Sequence, residues 1–204
     1  LEAASGTEQW SFETDGVVRA SPAVADGTVY VSGYASNVYA LSAADGTEQW
    51  RFETGYWVDA GPTVAAGTVY VGSYDDTVYA LSADDGTERW AFDADDSINT
   101  TPAVTDDAVV AGTADGSIYA IARSDGTERW RASLPDAVGS TPTVADGRVF
   151  VGCNDGSVYA LSTADGTERW RFGTDGEVHS SPAVAGGPPP VAGGGRPAAA
   201  TART

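Results

Sequence analysis

Tryptophan recurs at Trp10, Trp50, Trp90, Trp130 and Trp170, a spacing of 40 residues that never slips. Pro22, Pro62, Pro102, Pro142 and Pro182 keep the same interval. One string surrounds the later tryptophans: Ala40-Leu41-Ser42-Ala43-Ala44-Asp45-Gly46-Thr47-Glu48-Gln49-Trp50, then Ala80 to Trp90, Ala120 to Trp130 and Ala160 to Trp170. Its second half opens the chain as Gly6 to Trp10. A fixed period of this length means stacked supersecondary units, so the repeat, not the domain, is the unit of folding.

Within a repeat the apolar residues come in short, strand-sized runs. Thr28-Val29-Tyr30-Val31-Ser32 and Val38-Tyr39-Ala40-Leu41 are β-branched and aromatic, the composition of strands. Asp26-Gly27 is a hairpin signal, Tyr34 to Asn37 a second turn, and Asp45-Gly46 a third. Thr7 to Glu13 alternates polar and apolar and reads as a strand. Val17 to Ala25 reads as another, with Pro22 confining it to an edge or a strand start. No helical period appears. Each repeat is therefore four short antiparallel strands, with full units near 17–53, 57–93, 97–133 and 137–173. Four-stranded sheets repeating at this interval predict an all-β β-propeller, four full blades and two partial ones. The first strand of each blade lines the central channel and the fourth lies at the rim. From that rim strand Trp10, Trp50, Trp90, Trp130 and Trp170 point between sheets and cement one blade to the next.

The repeats run to residue 186. Residues 187–204 abandon the pattern for Gly, Pro, Ala and Arg, a composition that cannot bury a core and predicts a disordered tail. A reading-frame shift, a truncated gene and a linker to a further domain all account for that break. The chain opens in mid-repeat without a basic and apolar leader, so a targeting signal is either absent or lost.

Charge excludes several functions. Twenty-nine acidic residues face 11 basic ones, all Arg, for a net charge of -18. Nothing here displaces the counterions of a nucleic acid, and an anionic lipid surface is equally unsuited. No apolar run approaches the roughly 18 residues of a membrane span. Self-repulsion of this size is relieved by salt. The composition resembles that of an extreme halophile's protein, and GC-rich coding also depletes Lys. Cys153 is the single cysteine, in the slot held by Gly33, Ser73 and Thr113, and reads as a small strand residue.

The repeated string resembles the pyrroloquinoline quinone (PQQ) type propeller repeat and its tryptophan-docking motif, Ala-x-Asp-x-x-Thr-Gly-x-x-x-Trp. Ala40, Gly46 and Trp50 match it, as do Ala80, Gly86, Trp90; Ala120, Gly126, Trp130; and Ala160, Gly166, Trp170. Ser42, Ser82 and Ser162, with Ala122 in the third repeat, stand where the family often has Asp. Asp45, Asp85, Asp125 and Asp165 stand where it often has Thr. The resemblance implies one of two roles. Quinoprotein dehydrogenases of the family hold PQQ and Ca²⁺, typically beside vicinal cysteines, which a chain with one Cys cannot form. Other members bind no quinone and serve as scaffolds, among them an outer-membrane assembly lipoprotein and repeat domains of kinases or surface proteins.

Variation between repeats locates a candidate site. One channel-side slot holds Arg19, Asp59, Asn99, Gly139 and His179, where most slots are uniform. A neighbouring slot holds Val17, Trp57, Ser97, Ala137 and Glu177, and Tyr56-Trp57 is an aromatic pair that the other repeats lack. Arg19, Trp57, Asp59, Asn99 and His179 are therefore the candidate ligand-binding residues, at the channel mouth. A turn that tolerates any polar residue explains the same variation. The Asp-rich turns lack the spaced Ca²⁺-loop pattern, and His179 has no nucleophile motif beside it. No catalytic or metal-binding residue is assigned. The expectation is a non-catalytic scaffold without cofactor, outside the cytoplasm or at the cell surface, whose partners are proteins or missing blades of the same protein. The alternative is a fragment of a PQQ- and Ca²⁺-dependent dehydrogenase.

Overall fold

A computed structural model describes residues 5–184. Sixteen strands form four sheets, each antiparallel and in sequence order from first strand to fourth. Blade 1 is β1 (Ala23–Ala25), β2 (Thr28–Ser32), β3 (Asn37–Ser42) and β4 (Glu48–Glu53). Blade 2 is β5 (Thr63–Ala65), β6 (Thr68–Gly72), β7 (Thr77–Ser82) and β8 (Glu88–Asp93). Blade 3 is β9 (Ala103–Val104), β10 (Ala108–Gly112), β11 (Ser117–Ala122) and β12 (Glu128–Ser133). Blade 4 is β13 (Thr143–Ala145), β14 (Arg148–Gly152), β15 (Ser157–Ser162) and β16 (Glu168–Gly173). No helix occurs among the described residues. This is the β-propeller architecture that the repeat implied.

Turn chemistry sets the register. Asp26 and Gly27 both take positive φ, 48° and 77°, the two-residue hairpin geometry whose twist suits the flanking strands. Ala66-Gly67 and Asp146-Gly147 do the same. Blade 3 has Asp106-Asp107 instead, neither at positive φ, and its inner strand β9 shortens to two residues. In the third turn Asp45 Oδ1 accepts from the Thr47 amide at 3.1 Å and its hydroxyl at 2.8 Å. The Thr47 hydroxyl, then its amide, hold the Asp45 carboxyl below its ordinary range. Asp85, Asp125 and Asp165 repeat this bond set, which gives the Asp that departs from the family motif a structural task.

The core lies between blades. Trp50, Trp90 and Trp130 are 7%, 8% and 8% exposed. Each donates its indole Nε1–H to a carbonyl of the following blade: Trp50 to Ala83 at 3.0 Å, Trp90 to Arg123 at 3.1 Å, Trp130 to Thr163 at 2.8 Å. Each ring also lies against the turn glycine, where a Cβ would come within 2.9 Å of it or closer: Trp50 on Gly86, Trp90 on Gly126, Trp130 on Gly166. Trp10 makes the same contacts with the Ala43 carbonyl, at 3.0 Å, and Gly46. Trp170 packs on Phe150 but remains 44% exposed. Inner strands join across the channel side through Thr63 Oγ1 to the Pro102 carbonyl, 2.7 Å, and Thr143 Oγ1 to the Pro182 carbonyl, 2.6 Å.

Two strand readings need correction. Thr7 to Glu13 is not a strand: Trp10 and Phe12 anchor it to blade 1, yet no ladder partner lies beside it among the described residues. Of Val17 to Ala25 only Ala23–Ala25 pairs, because Pro22 has no amide to donate and the residues before it cross between blades. The expected tail at 187–204 lies outside the described residues. Cys153 follows β14, is fully buried, and donates its thiol to the Asp136 carbonyl at 3.2 Å; burial raises its pKa.

A second belt of aromatics runs beside the tryptophans, two residues further along the same segments. Phe12 meets Tyr39, Phe52 meets Tyr79 and Phe92 meets Tyr119 edge-on, with centroids 5.5, 5.2 and 5.3 Å apart. The Tyr79 hydroxyl donates to Asp75 Oδ2 at 2.9 Å. Burial, then the Asp75 carboxylate, push the Tyr79 phenol up to about 12 from 10.0. A folded-state pKa above the unfolded one means stability that is complete below the unfolded value and lost as pH rises through the folded one. Urea midpoints should therefore fall as pH climbs from 10.0 towards about 12. Tyr79→Phe, which has no phenol to ionise, should flatten part of that fall, and a slope unchanged in the variant would refute this assignment.

Candidate functional site

In antiparallel blades the β2–β3 type turns and the connections from one blade to the next lie at the same end. The backbone stitches the two together: the Tyr34 amide donates to the Val17 carbonyl at 3.0 Å, and Tyr74 to Trp57 at 2.9 Å. Ala114 to Ser97 and Asn154 to Ala137 repeat the bond. Slots far apart in the sequence thus become neighbours at the channel mouth.

Between blades 1 and 2 this end carries an aromatic column. The Arg19 guanidinium lies 5.1 Å from the Tyr34 ring centroid and donates to the Tyr34 hydroxyl at 3.0 Å. The Tyr34 ring stacks on Trp57 at 5.0 Å with planes 3° apart. Tyr56 stacks on Trp57 at 4.9 Å and 14°. Tyr56 and Trp57 nevertheless remain 49% and 41% exposed. Tyr74 stands beside the column: its phenol pKa is raised by burial first, then by the Asp59 carboxylate and Tyr34.

The platform is rigid because its backbone is tied down. The Tyr56 carbonyl accepts from Thr54 Oγ1 at 2.6 Å and from Ser73 Oγ at 3.2 Å, and both donors are buried. Asp75 Oδ2 accepts from the Gly55 amide at 2.6 Å. Blades 3 and 4 enter with Asp96-Ser97 and Asp136-Ala137 at the matching positions and fold the same way. The aromatics are therefore not a requirement of the fold.

The structure gathers Arg19 and Trp57 into this cluster, and Asp59 acts on it only through its charge, near Tyr74. Asn99 and His179 make no hydrogen bond or ring contact with it. His179 is exposed, its Nε2 2.9 Å from Glu177 Oε2. The Oδ1 atoms of Asn99 and Asn154 are buried without a hydrogen-bond partner among the described residues. Sequence reasoning missed Tyr34 and Tyr74. The signal was present, since their slot reads Tyr, Tyr, Ala, Asn across the repeats, but a turn residue there gives no hint of what it faces. Two clefts between blades lie at the opposite end. One of about 460 Å³ is lined by Tyr70, Arg89, Trp90 and Arg123, the other, of about 470 Å³, by Asp107, Arg129 and Thr163. The first borders the docking Trp90, and the second mixes these polar groups with Val110, Ala120 and Val144.

The sequence profile of the family described as outer membrane protein assembly factor BamB matches residues 1–56, 35–136 and 114–197. The chain belongs to this family. Among solved structures it is similar to BamB from Moraxella catarrhalis, at 19% identity and a TM-score of 0.64 over 80% of this chain and 64% of that one. It is also similar to the computationally designed Ika8 protein, at 18% identity and a TM-score of 0.72 over 78% of this chain and 50% of that one. A quinohemoprotein alcohol dehydrogenase from Pseudomonas putida HK5 matches at 22% identity and a TM-score of 0.71, over 81% of this chain and 35% of that one. No curated protein matches. At these identities the structures establish the propeller fold, and the BamB-family chain spans less than two thirds of each of them.

Proposed function

We propose that this BamB-family chain is a non-catalytic scaffold that binds a protein or another ligand at the channel-mouth end, through the column around Trp57. The observation that carries this is the column itself: rigidly held, half-exposed, and dispensable for folding. Arg, Tyr and Trp are the residues that concentrate binding energy at interfaces. An assembly factor as the family's namesake supports a protein partner.

The cofactor that the resemblance raises does not suit these residues. PQQ is a flat tricarboxylate, and its Ca²⁺ needs several oxygen ligands. The described residues contain no group of three or more His, Cys, Asp or Glu placed to hold a metal. At the column Arg19 is the one Arg, and it is committed to Tyr34, while the Trp57 ring already stacks against Tyr34 and Tyr56. The expected result is a thermal melt in molar salt that ignores PQQ plus Ca²⁺. A ligand at 100 times its Kd adds about 2.7 kcal/mol, or roughly 5–10 °C for a chain of this size. A shift of that order would overturn the scaffold reading in favour of a quinoprotein fragment.

A further inference from the structure

We infer that the outer face of Tyr56, at the end of the column where Tyr56 is backed by Trp57, is a docking site for an arginine side chain presented by a protein partner. This rests on the scaffold reading above and specifies the chemistry of its occupant.

The molecule shows on its own residues what such a column binds. Arg19 closes one end, its guanidinium over Tyr34. The pairing recurs elsewhere, with Arg51 over Tyr39 at 5.4 Å and Arg131 over Tyr119 at 5.8 Å. A guanidinium is planar and weakly hydrated, so it stacks on an aromatic face in a way that an ammonium does not. At the other end Tyr56 and Trp57 remain about half exposed, with no cation against them among the described residues.

Charge selects the same occupant. Arg19 is the one Arg among the turns and connections at this end, whereas they contribute carboxylates without a salt bridge among the described residues, including Asp59, Asp76, Asp96, Asp136 and Asp175, and Asp15, which Arg51 pairs at 3.3 Å. Asp59 stands close enough to Tyr74, beside the column, to raise its phenol pKa. Against a net charge of -18, a basic segment is drawn in by the field of the whole molecule, and stacking then separates arginine from lysine. The stitched backbone means that little ordering entropy is lost on binding.

The test uses the full chain and two probes of equal charge, a hexa-arginine and a hexa-lysine peptide, titrated calorimetrically at moderate salt. Hexa-arginine should bind several-fold more tightly, a preference of the size that one cation–π contact at a half-exposed ring supplies. Tyr56→Ala, which removes the docking ring, and Trp57→Ala, which removes the ring that backs it, should each lower hexa-arginine affinity several-fold and leave hexa-lysine nearly unchanged. Tyr56→Phe, which keeps the ring, should keep the preference. Equal affinities, or a preference that survives Trp57→Ala, would mean that charge alone attracts the peptides and would overturn the proposal. So would a neutral oligosaccharide that binds the wild type and is lost in Trp57→Ala while hexa-arginine is not. A melt shifted by PQQ plus Ca²⁺ would instead strike at the scaffold reading, so the two failures are distinguishable.

Discussion

Trp90→Ala should destabilise the chain by about 3–5 kcal/mol, the range for removing a large aromatic from a packed interior. Trp90 is 8% exposed, its indole N–H is bonded to the Arg123 carbonyl, and its ring lies on Gly126 with Tyr70 at 5.8 Å. The loss falls on one contact between two blades. Stability in such arrays is close to a sum of repeat and neighbour terms, so the variant should also melt less cooperatively. Trp170→Ala is the matched control. The same residue in the same strand position is 44% exposed, with no following turn beside it among the described residues. Its removal should cost about 1–2 kcal/mol. Urea unfolding of both variants decides the matter, and equal losses would show that the docking contacts with the next blade carry little of the energy. Trp90→Phe should fall between wild type and Trp90→Ala, since it keeps most of the ring and gives up one hydrogen bond of about 1 kcal/mol.

The interval between tryptophans made the fold legible, because only stacked identical units keep such a spacing. Turn chemistry was equally readable where Gly supplied it, as at Asp26-Gly27. It failed at Asp106-Asp107, where the hairpin closes without positive φ. The strand reading of Thr7 to Glu13 failed for a different reason. Alternation reports which side chains face inward, and Trp10 and Phe12 do, but a strand also needs a neighbour to bond to. At the candidate site Trp57 stood out as an aromatic that its repeat did not need. Tyr34 was hidden because its ring meets Trp57 across a blade boundary, and Tyr74 because only a backbone bond, Tyr74 N–H to Trp57 O, brings residues 17 apart in sequence together. No local pattern encodes that contact.

Gly86→Ala and Gly67→Ala should differ by about 2 kcal/mol or more, although both residues belong to blade 2 and have almost the same φ, +72° and +71°. Placing an L side chain in the left-handed region costs about 1–2 kcal/mol at either site. At Gly67 that is the whole cost, because an added Cβ meets nothing within 4 Å. At Gly86 the Cβ would lie 2.7 Å from Cε3 and 2.8 Å from Cδ2 of Trp50. The Trp50 ring cannot retreat freely, being 7% exposed, bonded to the Ala83 carbonyl and packed on Tyr30. It must shift by several tenths of an ångström, weakening that bond and loosening the interface between blades 1 and 2, at a further 2–3 kcal/mol or so. A double-mutant cycle isolates the cause. With Trp50 replaced by Ala, the Gly86→Ala cost should drop to that of Gly67→Ala, since only backbone strain is left. If it does not drop, the glycine is required for its conformation alone, and the close approach of the ring is incidental to it.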